Sequence, residues 1–199
     1  MIDINSTVFL VDGQTEIMAI KAKFYMECGS APEFRKVGCN GKSVTAEGYA
    51  SAALGTLNAV LRDRFLHIVC VVDREKRRLL AKNFGKKLRE SIIRKVVENT
   101  KIKEDDIENK LVVFVPDRMF ENWILSDIEG IKSCSYLIKQ SCRQKNFEGK
   151  NGVRELKNIM KVQYKKLLHA KKLFTSVRNR DGCLNSKSFN IFCTEIGIK

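Results

Sequence analysis

Two stretches decide the fold of this chain: residues 8–16, VFLVDGQTE, and residues 66–75, LHIVCVVDRE. In each stretch a short apolar run, rich in β-branched residues, leads directly into acidic residues. Such runs are typical of buried strands in a parallel sheet. Ligand sites of these sheets form just beyond the carboxyl ends of the strands, where the acidic residues lie. The sequence therefore predicts an α/β fold with a carboxylate site at one edge of its sheet.

Strands alternate with helices along the chain, which predicts a doubly wound, mostly parallel sheet, because parallel neighbours need a crossover connection. Strands are predicted at 6–11, 66–72 and 111–115, and residues 29–47 are predicted to be irregular or a short strand. Helices are predicted at 15–28, 46–64, 79–99, 120–127, 153–174 and 188–196. Apolar residues spaced four apart predict the buried face of the third helix: Leu80, Phe84, Leu88, Ile92 and Val96. The long 153–174 helix is predicted to turn Leu156, Ile159, Met160, Leu167 and Leu168 inward.

The 199 residues are enough for one domain with a full core. We expect an α/β core over residues 1–130 and a basic helical extension over residues 131–199, packed on the same domain. No stretch is long and apolar enough to span a bilayer, and the start lacks the basic and apolar regions of a signal peptide. The chain has seven cysteines, no C-x-x-C pair and only two histidines. We therefore expect a cytoplasmic protein with reduced thiols, no zinc site and no membrane partner.

The formal net charge of +14 is unevenly distributed. Residues 1–73 carry 7 basic and 8 acidic side chains, residues 74–138 carry 15 and 11, and residues 139–199 carry 15 and 4, giving −1, +4 and +11. A basic C-terminal third favours an acidic partner, most commonly nucleic acid. A solvated lysine-rich surface is the alternative interpretation of the same pattern.

Carboxylates gathered in an otherwise basic chain favour a hard cation that acts on a phosphate backbone. Mg²⁺ prefers oxygen ligands and usually takes one or two carboxylates, together with water and substrate phosphate. Asp73 and Glu75, two apart at the end of a strand, are expected to project to the same side. Asp12 ends the neighbouring strand, and Glu16 falls on the first turn of the next helix. Gly13 between them allows a sharp turn.

Each of these residues also has a purely structural interpretation. Asp12 or Thr15 can cap the helix that follows, because Asp and Thr are favoured at helix N-termini. Glu16 is then a first-turn acid that the helix dipole favours. Glu75 can pair with a nearby basic side chain on the surface. Two acidic motifs on two strands of one sheet nevertheless favour a functional site.

The two motifs together resemble the TOPRIM domain of topoisomerases, primases and the overcoming-lysogenization-defect nucleases. The resemblance is closer to small stand-alone TOPRIM-like bacterial proteins that occur with ATPase partners in phage-defence loci. Residues 115–127, VPDRMFENWILSD, resemble the segment of that family in which an acid precedes Trp and an Asp closes the helix. Tyr164-Lys165-Lys166 and Lys187-Ser188-Phe189 also lie where the family has similar residues. The similarity spans nearly the whole chain, although each motif is short.

The resemblance implies a TOPRIM-like, Rossmann-like core and a nuclease activity. Carried over, Asp12 is the general acid or base, Asp73 and Glu75 hold Mg²⁺ or Mn²⁺, and Glu16 and Glu121 are supplementary ligands. The chain departs from the family pattern twice, with Asp12 where Glu is usual and Glu75 where Asp is usual. Each change moves a carboxylate by about 1 Å, a displacement that can cost roughly 10²-fold in rate.

The basic residues around the acidic motifs are candidate phosphate contacts. Residues 74–103 hold 12 basic and 3 acidic side chains, beginning directly after Asp73. Positive groups there can position a strand and stabilise charge in the transition state. The predicted nucleic-acid contacts are Lys42, Arg74, Lys76, Arg77 and Lys165. No base-reading motif is present, so DNA and RNA both remain possible substrates.

Residues 38–43, GCNGKS, end like a phosphate-binding P-loop, but the pattern is incomplete. The motif needs a glycine at position 36, which is Lys36, and the preceding residues are a poor buried strand. We therefore interpret this stretch as a loop near the acidic residues. The sequence as a whole predicts a metal-dependent endonuclease or nickase of anti-phage defence, working with an ATPase or other partner. The alternative is a non-catalytic TOPRIM-fold subunit that binds nucleic acid or regulates a partner.

Overall fold

The computed structural model describes residues 3–38, 45–63, 65–144 and 146–198, and its strands form a four-stranded parallel sheet. In chain order the strands are β1 (Thr7–Val11), β2 (Glu33–Lys36), β3 (His67–Val71) and β4 (Leu111–Phe114). Their order across the sheet is β2-β1-β3-β4, and every pairing is parallel. The predicted α/β class, with a parallel sheet flanked by helices, is confirmed.

Helices fill the connections and the C-terminal third of the chain. They are α1 (Gln14–Cys28), α2 (Ala46–Arg62), α3 (Ala81–Asn99), α4 (Glu104–Glu108), α5 (Phe120–Ile124), α6 (Ile128–Ile131), α7 (Gly152–Ile159), α8 (Lys166–Thr175), α9 (Asn179–Asn185) and α10 (Lys187–Ile196). Among the described residues, no helix combines the length and the apolar character that a membrane span requires.

The alternation of side chains along each strand builds two hydrophobic cores, one on each face of the sheet. Val8 and Leu10 of β1 face the helices α2 and α3, where Tyr49 and Leu57 are fully buried. Phe9 and Val11 face the opposite way and belong to a second cluster with α1 and α5. Both faces are covered, which explains why all five residues of β1 are buried.

The C-terminal helices complete the second core. Phe174 of α8 and Phe189 and Phe192 of α10 are buried in the same cluster as Phe9 and Trp123. The rings of Trp123 and Phe192 lie 4.7 Å apart, centroid to centroid. The residues after 130 thus pack on the sheet through an aromatic core, while the domain boundary at residue 130 stays a prediction.

The strand order places the carboxyl ends of β1 and β3 side by side. From β1 the chain passes to β2 on one side, and it then crosses back to β3 on the other side of β1. The connections that leave β1 and β3 diverge at this point, which in open α/β sheets is where a ligand crevice forms. Asp12 follows β1 and Asp73 follows β3 closely, so both lie at this position.

The single helix predicted for residues 153–174 is wrong. The chain forms α7 and α8, separated by an extended segment, residues 160–165. Met160 bridges Ile138 in antiparallel fashion, and Lys161 donates its backbone N–H to the carbonyl of Leu137 at 2.8 Å. Each backbone N–H has one proton to donate, so the N–H of Lys161 cannot also bond to a carbonyl of α7. The helix therefore ends at this point.

The break in the helix also overturns part of the predicted core. Leu167 and Leu168 were expected to face inward, but they are 61% and 68% exposed, because α8 begins with a new helical phase. Leu80 is 68% exposed for a related reason, since α3 begins one residue later at Ala81. The helix predicted at 120–127 ends early, at Ile124, and Asp127 caps α6 instead.

Candidate metal centre

Five carboxylates converge at the carboxyl edge of the sheet. Asp12 and Glu16 lie between the end of β1 and the first turn of α1, Asp73 and Glu75 lie in the loop after β3, and Glu121 lies in the first turn of α5. Burial raises the pKa of Asp73 well above its ordinary 3.8, and the charges of Glu16, Glu121 and Glu75 raise it further. Glu16 also raises the pKa of Asp12. The acidic residues singled out from the sequence are therefore electrostatic neighbours.

Lys166, the first residue of α8, lies among these carboxylates. Its Nζ donates a hydrogen bond to Glu16 Oε1 at 2.6 Å and lies 3.5 Å from Glu121 Oε1. Its positive charge also lowers the pKa of Asp73. Burial alone would lower the pKa of the Lys166 ammonium, but Glu121, Glu16 and Asp73 outweigh it and hold that pKa above its ordinary value. Lys166 is therefore the charged counter-ion of the cluster.

With Lys166 in this place, the acidic side chains do not form a closed set of metal ligands. Across the described ranges, no three Asp, Glu, His or Cys side chains are grouped closely enough to hold an ion as they stand. The acidic members of the cluster still suit a hard cation, because each of them offers carboxylate oxygens.

The carboxylate of Glu121 is the strongest indication of a ligand in this site. The residue is 1% exposed, and its Oε1 accepts a hydrogen bond from the hydroxyl of Tyr164 at 3.2 Å. Its Oε2 is buried and has no hydrogen-bond partner among the described residues. Burial raises the pKa of Glu121, while Lys166 opposes that rise. A buried carboxylate oxygen without a partner costs stability, so its presence favours a ligand at this position.

Two glycines allow these carboxylates to approach each other. Gly13 caps the N-terminus of α1, and a Cβ there would overlap with Glu16 Oε2, so the carboxylate folds back over the first turn. Gly152 begins α7, and a Cβ there would lie 2.7 Å from the Cβ of Glu121 and 2.9 Å from the backbone nitrogen of Asn122. The close contact of α7 with α5 therefore requires glycine at position 152.

Asp12 lies at the rim of the cluster beside a tyrosine. Burial raises the pKa of Asp12 from 3.8 to about 6, the hydroxyl of Tyr49 lowers it by hydrogen bonding, Glu16 raises it and Arg77 lowers it. The carboxyl group is thus mostly ionised at neutral pH but takes up a proton about two pH units above an ordinary Asp. Groups with such a pKa can accept or donate a proton at physiological pH.

Glu75 reaches the cluster by a different route from the one expected. β3 ends at Val71, so the alternation of strand side chains does not extend to Asp73 and Glu75. Glu75 has a backbone φ of +56°, in the left-handed region, and its N–H donates to the carbonyl of Arg118 at 2.6 Å. This turn still leaves Glu75 near enough to raise the pKa of Asp73.

Two of the predicted phosphate contacts, Arg74 and Arg77, stabilise the loop after β3. The Arg74 guanidinium donates to the backbone carbonyls of Asp117, Arg77 and Leu79, the last two at 3.1 and 3.3 Å. Arg77 donates to the carbonyls of Asp73 and Arg74 at 2.9 and 3.1 Å. Its guanidinium also lies 4.4 Å from the ring of Phe84. Both arginines stabilise the loop that carries Asp73, and their contact with a phosphate stays a prediction.

The remaining predicted phosphate contacts have different placements. Lys76 is exposed in the loop after β3, and Lys165 is exposed immediately before α8. Lys42 and the P-loop-like stretch that contains it lie outside the described residues, apart from Gly38. Lys76 and Lys165 thus keep their ammonium groups accessible to a phosphate.

Sequence reasoning did not assign a site role to Lys166, Tyr164 or Arg118. Tyr164 is buried just before α8 and Lys166 begins that helix; both contact Glu121, while the intervening Lys165 is exposed. The predicted continuous helix over residues 153–174 did not contain this arrangement. Arg118 donates from one terminal nitrogen to the carbonyl of Gly149 at 3.2 Å, and its buried Nε has no hydrogen-bond partner among the described residues. No pattern in the sequence distinguishes Arg118 from other surface arginines.

The comparisons with known proteins identify the family of the chain but not its function. A family model described as "Domain of unknown function (DUF4276)" matches residues 11–197. No curated protein and no solved structure matches the chain. The match begins at the last residue of β1 and includes Asp12, Asp73, Glu121 and Lys166, so the whole candidate site lies inside one family domain.

Proposed function

We propose that this chain, which belongs to the DUF4276 family, is a Mg²⁺- or Mn²⁺-dependent nuclease that cuts phosphodiester bonds in DNA or RNA. The observation that carries the proposal is the convergence of five carboxylates on one edge of a parallel sheet, with a buried Glu121 oxygen that lacks a partner. The single ammonium of Lys166 balances only part of the negative charge of five carboxylates, and a divalent cation would balance more of it. The net charge of +14 on the same chain suits a polyanionic substrate.

The residues that would hold the ion are Asp73 and Glu121, with Glu75 and Asp12 as further ligands. A divalent cation lowers the pKa of a bound water and neutralises negative charge on a phosphate. Arg74 and Arg77 fix the loop that carries Asp73 through five hydrogen bonds to backbone carbonyls. Such fixed ligands favour a defined coordination geometry.

The other side chains of the site are suited either to proton transfer or to phosphate binding. Asp12, with a pKa of about 6, suits the transfer of a proton to or from an oxygen of the substrate or of water. Lys76, in the loop after β3, and Lys165, directly before α8, are exposed cations. Arg118, whose carbonyl accepts the backbone N–H of Glu75, has a buried Nε without a hydrogen-bond partner among the described residues. These three residues are the proposed phosphate contacts.

The resemblance to TOPRIM proteins supports the same assignment. TOPRIM-like identity, a cytoplasmic role in anti-phage defence and an ATPase partner all follow from that resemblance and stay part of the proposal. The parallel sheet with acidic residues after β1 and β3 is compatible with it.

The test is cleavage of supercoiled plasmid and of single-stranded RNA by the purified chain with Mn²⁺. We expect nicked or linear product from the wild-type chain and a loss of at least about 10²-fold in Asp73→Asn, because a ligand to the ion is removed. Asp105→Asn, an exposed first-turn residue of α4, is the matched control and should cleave normally. Equal cleavage by wild type and Asp73→Asn would contradict the proposal.

A second candidate function is a non-catalytic subunit that binds nucleic acid. The observation that favours it is the ammonium of Lys166, which already neutralises part of the cluster without any metal. This function predicts binding of nucleic acid that EDTA does not change and no cleavage with any divalent ion. The same plasmid assay therefore separates the two functions.

A further inference from the structure

We propose that Lys166 is a displaceable internal counter-ion, which occupies the carboxylate cluster in the metal-free protein and leaves it when a divalent cation binds. This inference rests on the proposed function, since it concerns the same site. At that site, the divalent ion must compete with a side chain of the protein itself.

The contacts of Lys166 are the first argument. Its Nζ lies 2.6 Å from Glu16 Oε1 and 3.5 Å from Glu121 Oε1, and its charge acts on Asp73. Those residues belong to three separate segments of the chain, so the ammonium lies where the segments meet. A divalent cation bound to the same carboxylates would occupy the same region.

The two cations exclude each other for an electrostatic reason. Mg²⁺ binds oxygen at about 2.1 Å, so an ion on Glu16 Oε1 or Glu121 Oε1 would lie within a few ångströms of the ammonium. Like charges at that separation repel strongly in a partly buried site. Within the described part of the chain, no three Asp, Glu, His or Cys side chains are grouped closely enough to hold an ion. In this inference, departure of the ammonium lets the carboxylates close on an ion.

Lys166 is also placed so that it can leave. It is the first residue of α8, directly after the extended segment 160–165, and its side chain is 38% exposed. Its four-carbon stem can rotate toward solvent without unwinding the helix. Glu121, by contrast, is 1% exposed and fixed by the hydroxyl of Tyr164. The lysine is therefore the movable member of the cluster, and the glutamate is the fixed one.

The first experiment measures Mn²⁺ affinity by electron paramagnetic resonance, with no nucleic acid present. Lys166→Met keeps the length of the side chain but removes the competing charge, and we expect it to bind Mn²⁺ about tenfold more tightly than wild type, a typical size for coupled sites. Lys171→Met, on an exposed face of the same helix, should bind like wild type. Equal or weaker binding by a folded Lys166→Met variant would overturn the inference.

A second measurement uses the wild-type chain and does not depend on the folding of a variant. Acetylation by an N-hydroxysuccinimide ester, followed by peptide mass spectrometry, reports how accessible each lysine amine is. We expect Lys166 to react slowly in EDTA and several-fold faster in saturating Mg²⁺, while Lys171 reacts equally in both. An unchanged rate at Lys166, in a protein that binds Mg²⁺, would overturn the inference.

An Asp73→Asn arm separates failure of the inference from failure of the proposed function. If wild type and Asp73→Asn bind Mn²⁺ equally, the metal site itself is wrong, and the inference falls with it. A second outcome is that Asp73→Asn loses Mn²⁺ binding, while Lys166→Met binds Mn²⁺ no more tightly than wild type and Mg²⁺ does not increase the acetylation rate of Lys166. In that case the metal site is supported and only the displacement of Lys166 is refuted.

Discussion

At the scale of single residues, Ser188 links the aromatic core to the loop that precedes α5. Its Oγ accepts hydrogen bonds from Trp123 Nε1 at 2.9 Å and from the backbone N–H of Asp117 at 3.1 Å. Ser188→Ala leaves the indole N–H of a fully buried tryptophan without a partner. We expect a loss of about 1–3 kcal/mol in the free energy of unfolding, measured in urea. Ser133→Ala, at an exposed serine, should change it by less than about 0.5 kcal/mol.

Asp127 gives a second prediction at this scale, concerning pH. Burial would raise its pKa, but hydrogen bonds from the Arg178 guanidinium and from the backbone N–H groups of Gly130 and Arg178 hold that pKa below its ordinary 3.8. A depressed pKa contributes stability that is present above the pKa of the unfolded chain and is lost as pH falls through the folded value. Asp127→Asn should therefore lose about 2 kcal/mol at pH 7 and show a flatter decline in stability below about pH 4. Parallel curves for the two proteins would contradict this assignment.

At the scale of elements, the contact between α5 and α7 depends on Gly152. A Cβ at this position would come too close to the backbone of Glu121 and Asn122, so Gly152→Ala must push the two helices apart. We expect a loss of about 1–3 kcal/mol in unfolding free energy, together with weaker Mn²⁺ binding because Glu121 moves. Gly55→Ala is the control: no atom lies within 4 Å of a Cβ built there, in the middle of α2. It should stabilise the protein by about 0.5–1 kcal/mol.

The sequence predicted the buried strands better than the break in the C-terminal helices, because the strands show in the local pattern and the break does not. The strands before Asp12 and Asp73 were identified because burial on both faces leaves a continuous apolar run. The break between α7 and α8 was missed because it depends on a bridge from Met160 to Ile138, more than twenty residues away. Local periodicity does not contain such a partner. The same error turned Leu167 and Leu168 inward in the prediction.

The acidic residues of the site were identified from the sequence, Glu16 and Glu121 in the first turns of their helices and the others close to the ends of strands. Asp12 and Asp73 are of the latter kind, and the sheet order places the ends of β1 and β3 together. Lys166 was missed because its role depends on a tertiary contact between α8 and α1. Arg74 and Arg77 were identified as basic neighbours of the site, but their hydrogen bonds to backbone carbonyls depend on the exact path of a loop.

At the scale of the whole molecule, the charge distribution gives a prediction about binding. The net charge of +14 and the excess of +11 over residues 139–199 favour association with a polyanion through release of its counter-ions. For a footprint of about six phosphates, the dissociation constant for a labelled oligonucleotide should rise roughly 10³-fold between 50 and 200 mM salt. Fluorescence anisotropy with Asp73→Asn, which prevents cleavage, measures it. An affinity independent of salt would argue against a phosphate-binding surface.

The central claim is that these carboxylates close around a divalent cation, and anomalous X-ray scattering from a crystal soaked in Mn²⁺ tests it most directly. The account predicts an anomalous peak at coordination distance from the carboxylates of Asp73 and Glu121, with the Lys166 ammonium withdrawn from Glu16. A crystal with strong peaks elsewhere, or with Lys166 still bound to Glu16 and Glu121 at saturating Mn²⁺, would contradict it.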